Sequence, residues 1–222
     1  LGEEPWRVHC FGSPGLDRIR GLKPLGKAAL EKELGTTLEP PVGIVTYHPE
    51  TLGLAGQDRL EAMLKALGRV PGTWIITYPN ADAGGRAVIA RLKAFARDYR
   101  AGRARLYESL GQPRLFSLMR LADVMVGNSS SAILEAPAFR LPAVNIGDRQ
   151  KARIRAGNVL DVPRGSAEEI EEALRRCLEP GFRRSMRIAS LSPRASPSRR
   201  IVEVLRTLRL EERLIKKGFH AV

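Results

Sequence analysis

Cysteine, histidine and aromatic side chains are scarce in this sequence of 222 residues, which holds two Cys, three His and 5% aromatics. Cys10 and Cys177 lie far apart and are too few for a disulfide framework or, with so little histidine, a cysteine-based metal site. They are expected as reduced structural thiols, and no metal or cofactor is expected. Few rings leave few stacking platforms for single-stranded nucleic acid. No apolar run reaches the roughly 18–20 residues of a bilayer span. The opening Leu1-Gly2-Glu3-Glu4-Pro5-Trp6 has neither the basic start nor the apolar middle of a secretory leader. The expected address is cytoplasmic, with no membrane partner.

What the chain does have is core-forming material and basic charge. Hydrophobic residues at 43% can fill a core, and with 27% charged residues they exclude a wholly disordered chain. Lys and Arg number 37 against 24 Asp and Glu, a formal charge of +13. Residues 150–222 carry 17 of those bases against 9 acids. There the bases alternate with apolar residues at helical spacing, as in Arg199-Arg200-Ile201-Val202-Glu203-Val204-Leu205-Arg206, which describes solvated helix faces. Scattered in this way, they do not form a nucleic-acid motif, and nucleic acid is not the expected partner. Arginine outnumbers lysine 29 to 8, which suits phosphate forks and equally fits coding bias.

Short apolar runs at Val8–Phe11, Val42–Tyr47, Thr73–Tyr78, Ala104–Tyr107, Asp123–Val126 and Pro142–Ile146 alternate with segments of 3.6-residue periodicity. The predicted helices are Pro24–Leu34, Gln57–Gly68, Gly85–Arg100, Pro113–Ala122 and Ser130–Phe139. Strands this apolar with helices between them indicate an α/β fold, a parallel sheet covered on both faces. After one more short run, Asn158–Val162, residues 166–178 and about 180–217 read as helices only, broken at Pro180-Gly181 and by Ser190–Ser198. They are expected as a tail on a finished sheet.

In an open parallel sheet the ligand sits beyond the strand C-termini, where free backbone N–H groups and helix dipoles favour an anion. Four loops at that edge are polar or glycine-rich: His48-Pro49-Glu50-Thr51, Pro79 to Arg86, Gly127-Asn128-Ser129-Ser130-Ser131, and Gly147-Asp148-Arg149-Gln150. Together they point to a nucleotide or phosphorylated ligand. Singly, each has two readings. Ser129–Ser131 is either a helix cap or a phosphate cradle. Glu135 is either a solvated helix acid or an acceptor for a ribose diol, and Arg149 either a surface charge or a fork onto a diphosphate. His48 reads as a buried imidazole or as an acid/base or phosphate partner.

The strings Gly12-Ser13-Pro14-Gly15-Leu16-Asp17, Thr46-Tyr47-His48-Pro49, Tyr78 to Arg86, Gly127 to Ser131 and Asn145 to Lys151 occur in one order with sensible spacing. In this the sequence resembles the hydrolysing UDP-N-acetylglucosamine 2-epimerases of sialic and related nonulosonic acid pathways, specifically over about residues 1–165 and more loosely to Lys216-Lys217-Gly218-Phe219. The resemblance implies one half of a GT-B arrangement of two Rossmann-like domains, with a UDP-sugar in the cleft between them. It implies that residues 1–23 are an interdomain segment, 24–165 the Rossmann-like UDP-binding domain, and 166–222 a helical tail packing on the sheet or crossing back. By position it implies Asn80 beside uracil and ribose, Ser129 and Ser130 on the diphosphate, Glu135 on the ribose, Arg149 in the UDP site, and catalytic His48 near diphosphate and sugar. UDP and UDP-N-acetylglucosamine are the implied partners.

Nothing in the chain corresponds to the N-terminal domain that carries the family's sugar-acting acids. The implied reaction gives N-acetylmannosamine and UDP, and a chain lacking that domain is expected to bind UDP weakly and turn over little alone. A homo-oligomer is compatible with an interdomain face left open. Two other classes share part of the pattern: a UDP-sugar-dependent GT-B glycosyltransferase domain, and a basic nucleic-acid-binding module.

Overall fold

The computed structural model describes residues 2–50, 56–188 and 196–220. Thr51 and most of the Ser190–Ser198 break lie outside the described residues. The strands are β1 (Val42–Thr46), β2 (Thr73–Thr77), β3 (Ala104–Tyr107), β4 (Val124–Gly127), β5 (Ala143–Ile146) and β6 (Val159–Val162). The helices are α1 (Gly15–Arg20), α2 (Lys27–Leu34), α3 (Gly56–Arg69), α4 (Gly85–Asp98), α5 (Gly111–Leu121), α6 (Ser131–Leu134), α7 (Ala167–Leu178), α8 (Phe182–Ser185), α9 (Pro197–Thr207) and α10 (Glu212–Ile215). Two compact units emerge, one of Leu1–Gly21 with Ser190–Val222, the other of Leu22–Ala189.

The larger unit is an α/β layer structure around one parallel sheet of order β3-β2-β1-β4-β5-β6. Every residue of β1, β4 and β5 is buried, because helices cover both faces, and that is why these strands read as continuous apolar runs. The helices bury the stripes their periodicity announced: Leu60, Met63, Leu64 and Leu67 from α3, Val88 and Leu92 from α4. Ser166 caps α7 by accepting the Glu169 N–H at 3.2 Å, and α7 buries Ile170, Leu174 and Cys177 against the sheet. Burial pushes the Cys177 thiol up to about 12, as befits an inert core group.

Three local expectations are corrected. Val8–Phe11 is not a strand: the run lies in the smaller unit with Val8 62% exposed, and among the described residues no neighbouring strand completes its backbone ladder. Ser130–Phe139 is not one helix, because Pro137 has no N–H to donate and its ring crowds the carbonyl a turn back. The segment becomes the single turn α6 followed by a 3-10 turn, Ala136–Phe139. Cys10 is exposed, so only one of the two thiols is structural.

In the smaller unit, Ser196 caps α9 by accepting the Arg199 N–H, and its hydroxyl donates to Asp17 of α1 at 2.8 Å. Asp17 also accepts the Ser198 N–H at 2.8 Å, so one carboxylate pins the start of α9 to α1. Among the described residues, no helix is long and apolar enough to cross a membrane.

Candidate functional site

Strand order in the sheet reverses between β1 and β4, so the chains leaving these two strands diverge and open a crevice at their C-terminal ends. Gly127, the last residue of β4, has φ +132°, and a Cβ there would stand 1.9 Å from the Thr46 carbonyl oxygen. Only glycine lets β4 end this close to β1. The next residue, Asn128, is completely buried and spans the gap with its side chain. Its Oδ1 accepts the His48 backbone N–H at 2.7 Å, while its Nδ2 donates to the His48 carbonyl at 2.9 Å. One amide thus continues the ladder across the point where the strands part. In turn, the Asn128 carbonyl accepts from Gln150 Nε2 at 2.8 Å and from Arg149 Nη1 at 3.5 Å, tying in the loop after β5.

Behind His48 the same loop is braced by an ion pair. Arg59 of α3 donates to Glu50 at 2.6 Å and to the Pro163 carbonyl at 2.9 Å, and the Tyr47 hydroxyl donates to the Gly56 carbonyl at 2.8 Å. His48 therefore sits on a loop held from three sides.

The crevice is an open cleft of about 700 Å³ with Thr46, Thr77 and Met125 on its wall. His48, Asn80, Ser129, Ser130 and Arg149 all line it. Glu135 does not: at the end of α6 it is half-buried, its Oε2 is enclosed without a hydrogen-bond partner, and burial raises its pKa. The serine loop is not a full helix cap either. Ser129 Oγ accepts the Ser131 N–H at 3.3 Å, Ser130 makes no capping bond, and α6 is only four residues long. So few aligned peptides give little macrodipole, and positive potential at this edge comes mainly from side chains. Among the described residues, Arg149 and Arg153 line the cleft against one lining carboxylate, Glu108. Arg149 also lies 3.8 Å from Asp82 in the loop after β2.

His48 is 6% exposed, and its Nδ1 accepts the backbone N–H of Asn80 at 3.0 Å. Burial first, then the nearby Arg149 charge, lowers its pKa to about 4, with Asp82 opposing. The imidazole is therefore neutral at neutral pH.

Sequence reasoning missed one complete wall. Glu108, Ser109, Leu110, Gly111 and Gln112, the connection from β3 to α5, line the cleft together with Arg153 and Gln150. The available signal was position: this connection leaves the same sheet edge as the four loops singled out. Among the described residues, no group of three or more His, Cys, Asp or Glu is placed to hold a metal ion. Small hydroxyls, amides and two arginines around an open cleft suit a polyanionic ligand with a polar appendage, such as a nucleoside diphosphate.

A family model described as UDP-N-acetylglucosamine 2-epimerase matches residues 1–206. A Campylobacter jejuni protein named GDP/UDP-N,N'-diacetylbacillosamine 2-epimerase (hydrolyzing) is 39% identical over 163 residues, 72% of this chain and 42% of that protein. A Legionella pneumophila UDP-N,N'-diacetylbacillosamine 2-epimerase (hydrolyzing) is 27% identical over 222 residues, 98% of this chain and 56% of that one. The structure of a Neisseria meningitidis UDP-GlcNAc 2-epimerase bound to UDP-GlcNAc matches with a TM-score of 0.72 at 18% identity, covering 93% of this chain and 57% of that one, which establishes a shared fold. The chain spans about half the length of these relatives.

Proposed function

The chain belongs to the UDP-N-acetylglucosamine 2-epimerase family, and from that premise we propose that it supplies the UDP-binding half of a hydrolysing UDP-sugar 2-epimerase. In the proposed reaction the C2 proton passes to a base as the C1–O bond breaks and UDP leaves with the bonding pair. Water then adds across the resulting glycal, OH to C1 and H to C2, releasing the 2-epimeric free sugar. Expelling UDP requires stabilisation of developing diphosphate charge, and that is the task assigned to this chain.

The observation that carries the reading is the meeting of His48, Asn80, Ser129, Ser130 and Arg149 on one cleft at the sheet's switch point. Arg149 is assigned to the diphosphate, Ser129 and Ser130 to phosphate oxygens, and Asn80 to the uridine end. Glu135 is assigned to the ribose, a role that requires a ligand-bound rearrangement, since its carboxylate stands off the cleft wall. Residues 1–23 are assigned to the connection with a partner N-terminal domain, with the C-terminal tail crossing back beside them. Exposed Val8, Val202, Leu205 and Phe219 in the smaller unit support a covering surface of that kind. The isolated chain is expected to bind UDP and turn over little.

Two substrates fit the reading. UDP-N-acetylglucosamine, giving N-acetylmannosamine, follows from the resemblance in the motifs. A diacetamido sugar nucleotide is favoured by the names of the relatives at 39% and 27% identity. Titration calorimetry with UDP on the parent chain and on Arg149→Ala tests the binding role. Loss of one charge-assisted contact, ~1.5–3 kcal/mol, predicts affinity reduced by about tenfold to a hundredfold. Equal affinities would refute the assignment of Arg149. Product analysis with both sugar nucleotides on an enzyme that includes the N-terminal domain decides the substrate.

A further inference from the structure

Glu50 follows His48 by two positions and Gly147 precedes Arg149 by two, and in the fold both meet one side chain behind the cleft. That side chain is Arg59 of α3. Its Nη1 donates to Glu50 at 2.6 Å, its Nη2 to the Pro163 carbonyl at 2.9 Å and its Nε to the Arg164 carbonyl at 3.3 Å, with Asp148 3.9 Å away. One planar fork therefore spans the loops after β1, β5 and β6. Two glycines make room for it: a Cβ on Gly147 would stand 2.6 Å from Glu50 Oε1 and 3.0 Å from Arg59 Nη1, and a Cβ on Gly165 would stand 2.8 Å from Arg59 Cγ. Both have positive φ, +73° and +72°. The backbone that leads to Arg149 thus presses directly on a largely buried ion pair.

We propose that Arg59 is a positioning residue of the nucleotide site: paired with Glu50, it fixes the loop after β5 against the loop after β1 and so presents the Arg149 guanidinium to a diphosphate. The inference rests on the proposed function and deepens it, adding a group that does not line the cleft. A buried ion pair contributes little net stability, because desolvating two charges offsets much of their attraction. What this one supplies is the relative placement of three loops. Arg149 needs such support, since its contacts on the cleft side are long, 3.5 Å to the Asn128 carbonyl and 3.8 Å to Asp82. Any ordering left to the moment of binding is subtracted from affinity. Bracing the backbone from behind removes part of that cost.

The double substitution Arg59→Met with Glu50→Gln removes the pair without stranding either charge. It also leaves the net charge unchanged, so a loss of UDP affinity reports geometry and not long-range attraction. Titration calorimetry with UDP compares the parent, this pair variant, Arg149→Ala and the combination, each at a temperature where circular dichroism shows it folded. The pair variant is expected to bind UDP about tenfold more weakly than the parent, whereas in the Arg149→Ala background the same change costs about twofold or less, because the group being positioned is gone. Equal losses in the two backgrounds, or no loss in the parent, overturn the proposal. Arg59→Lys covers a pair variant that does not fold: it keeps a charge beside Glu50, but one ammonium cannot also span both carbonyls. It is expected to weaken UDP about threefold, and parental affinity overturns the proposal. A parent chain that fails to bind UDP overturns the proposed function and this role together, whereas Arg149-dependent binding that ignores the pair overturns this role alone.

Discussion

Replacing Asn128 by Ala removes both hydrogen bonds that span the divergence of β1 and β4. The His48 N–H and C=O then lose their partners in a place where Asn128 is 0% and His48 6% exposed, so water cannot readily substitute. Each buried backbone group left unpaired costs ~1–3 kcal/mol, so the pair amounts to ~2–6 kcal/mol. Set against the ~5–15 kcal/mol that holds a domain together, that is a large fraction. Urea unfolding with an m-value of about 2 kcal/mol/M translates the midpoint of that range into a fall of roughly 2 M in the transition midpoint. Trp74, fully buried beside Gly43, reports on the sheet unit, and a Trp6→Phe background removes the other tryptophan signal. The same substitution frees the loop that places His48, so UDP affinity should fall even at temperatures where the variant remains folded. A midpoint within about 0.3 M of the parent, with m unchanged, would refute the idea that this amide carries the switch point.

Acid titration offers a further test. The folded His48 pKa is about 4 against an ordinary value of 6.5, so the unfolded chain takes up a proton that the folded ring refuses. Its stability contribution is intact above pH ~6.5 and is lost as pH falls toward 4, by up to ~3 kcal/mol. The urea midpoint of the parent should drop more than that of His48→Gln across this interval, and parallel curves would contradict the shift. Ala152 holds φ +66° at an exposed turn after β5. Glycine there relieves ~1–2 kcal/mol of left-handed strain against ~0.4–1 kcal/mol of added unfolded-state entropy. Ala152→Gly should therefore raise the urea midpoint slightly, and a lowered midpoint would show that the turn depends on the methyl group.

The alternation of apolar strands with amphipathic helices made the parallel sheet legible, and β1 to β6 fall within a residue or two of the expected runs. Periodicity failed where a local pattern needed a partner or met a backbone constraint. Val8–Phe11 has strand composition and, among the described residues, no strand to pair with, and Pro137 divides a helix that the hydrophobic spacing alone would continue. The loops carrying His48, Asn80, Ser129, Ser130 and Arg149 were recognisable from their chemistry and their place after strands. The Glu108–Gln112 wall carries weaker chemistry and became visible only when β3 took its place beside β2.

The sequence by itself determined the layer structure, the polar edge and the residue types available for a diphosphate, because burial on both faces and strand-to-helix alternation are written in local order. Only the tertiary structure decided the strand order that joins Asn128 to His48 across 80 positions, the bond from the Asn80 N–H to the His48 ring, and the standing of Glu135 off the cleft wall. Protonation state and hydrogen-bond role depend on which groups meet at three ångströms, and residues distant in sequence meet only when the sheet closes.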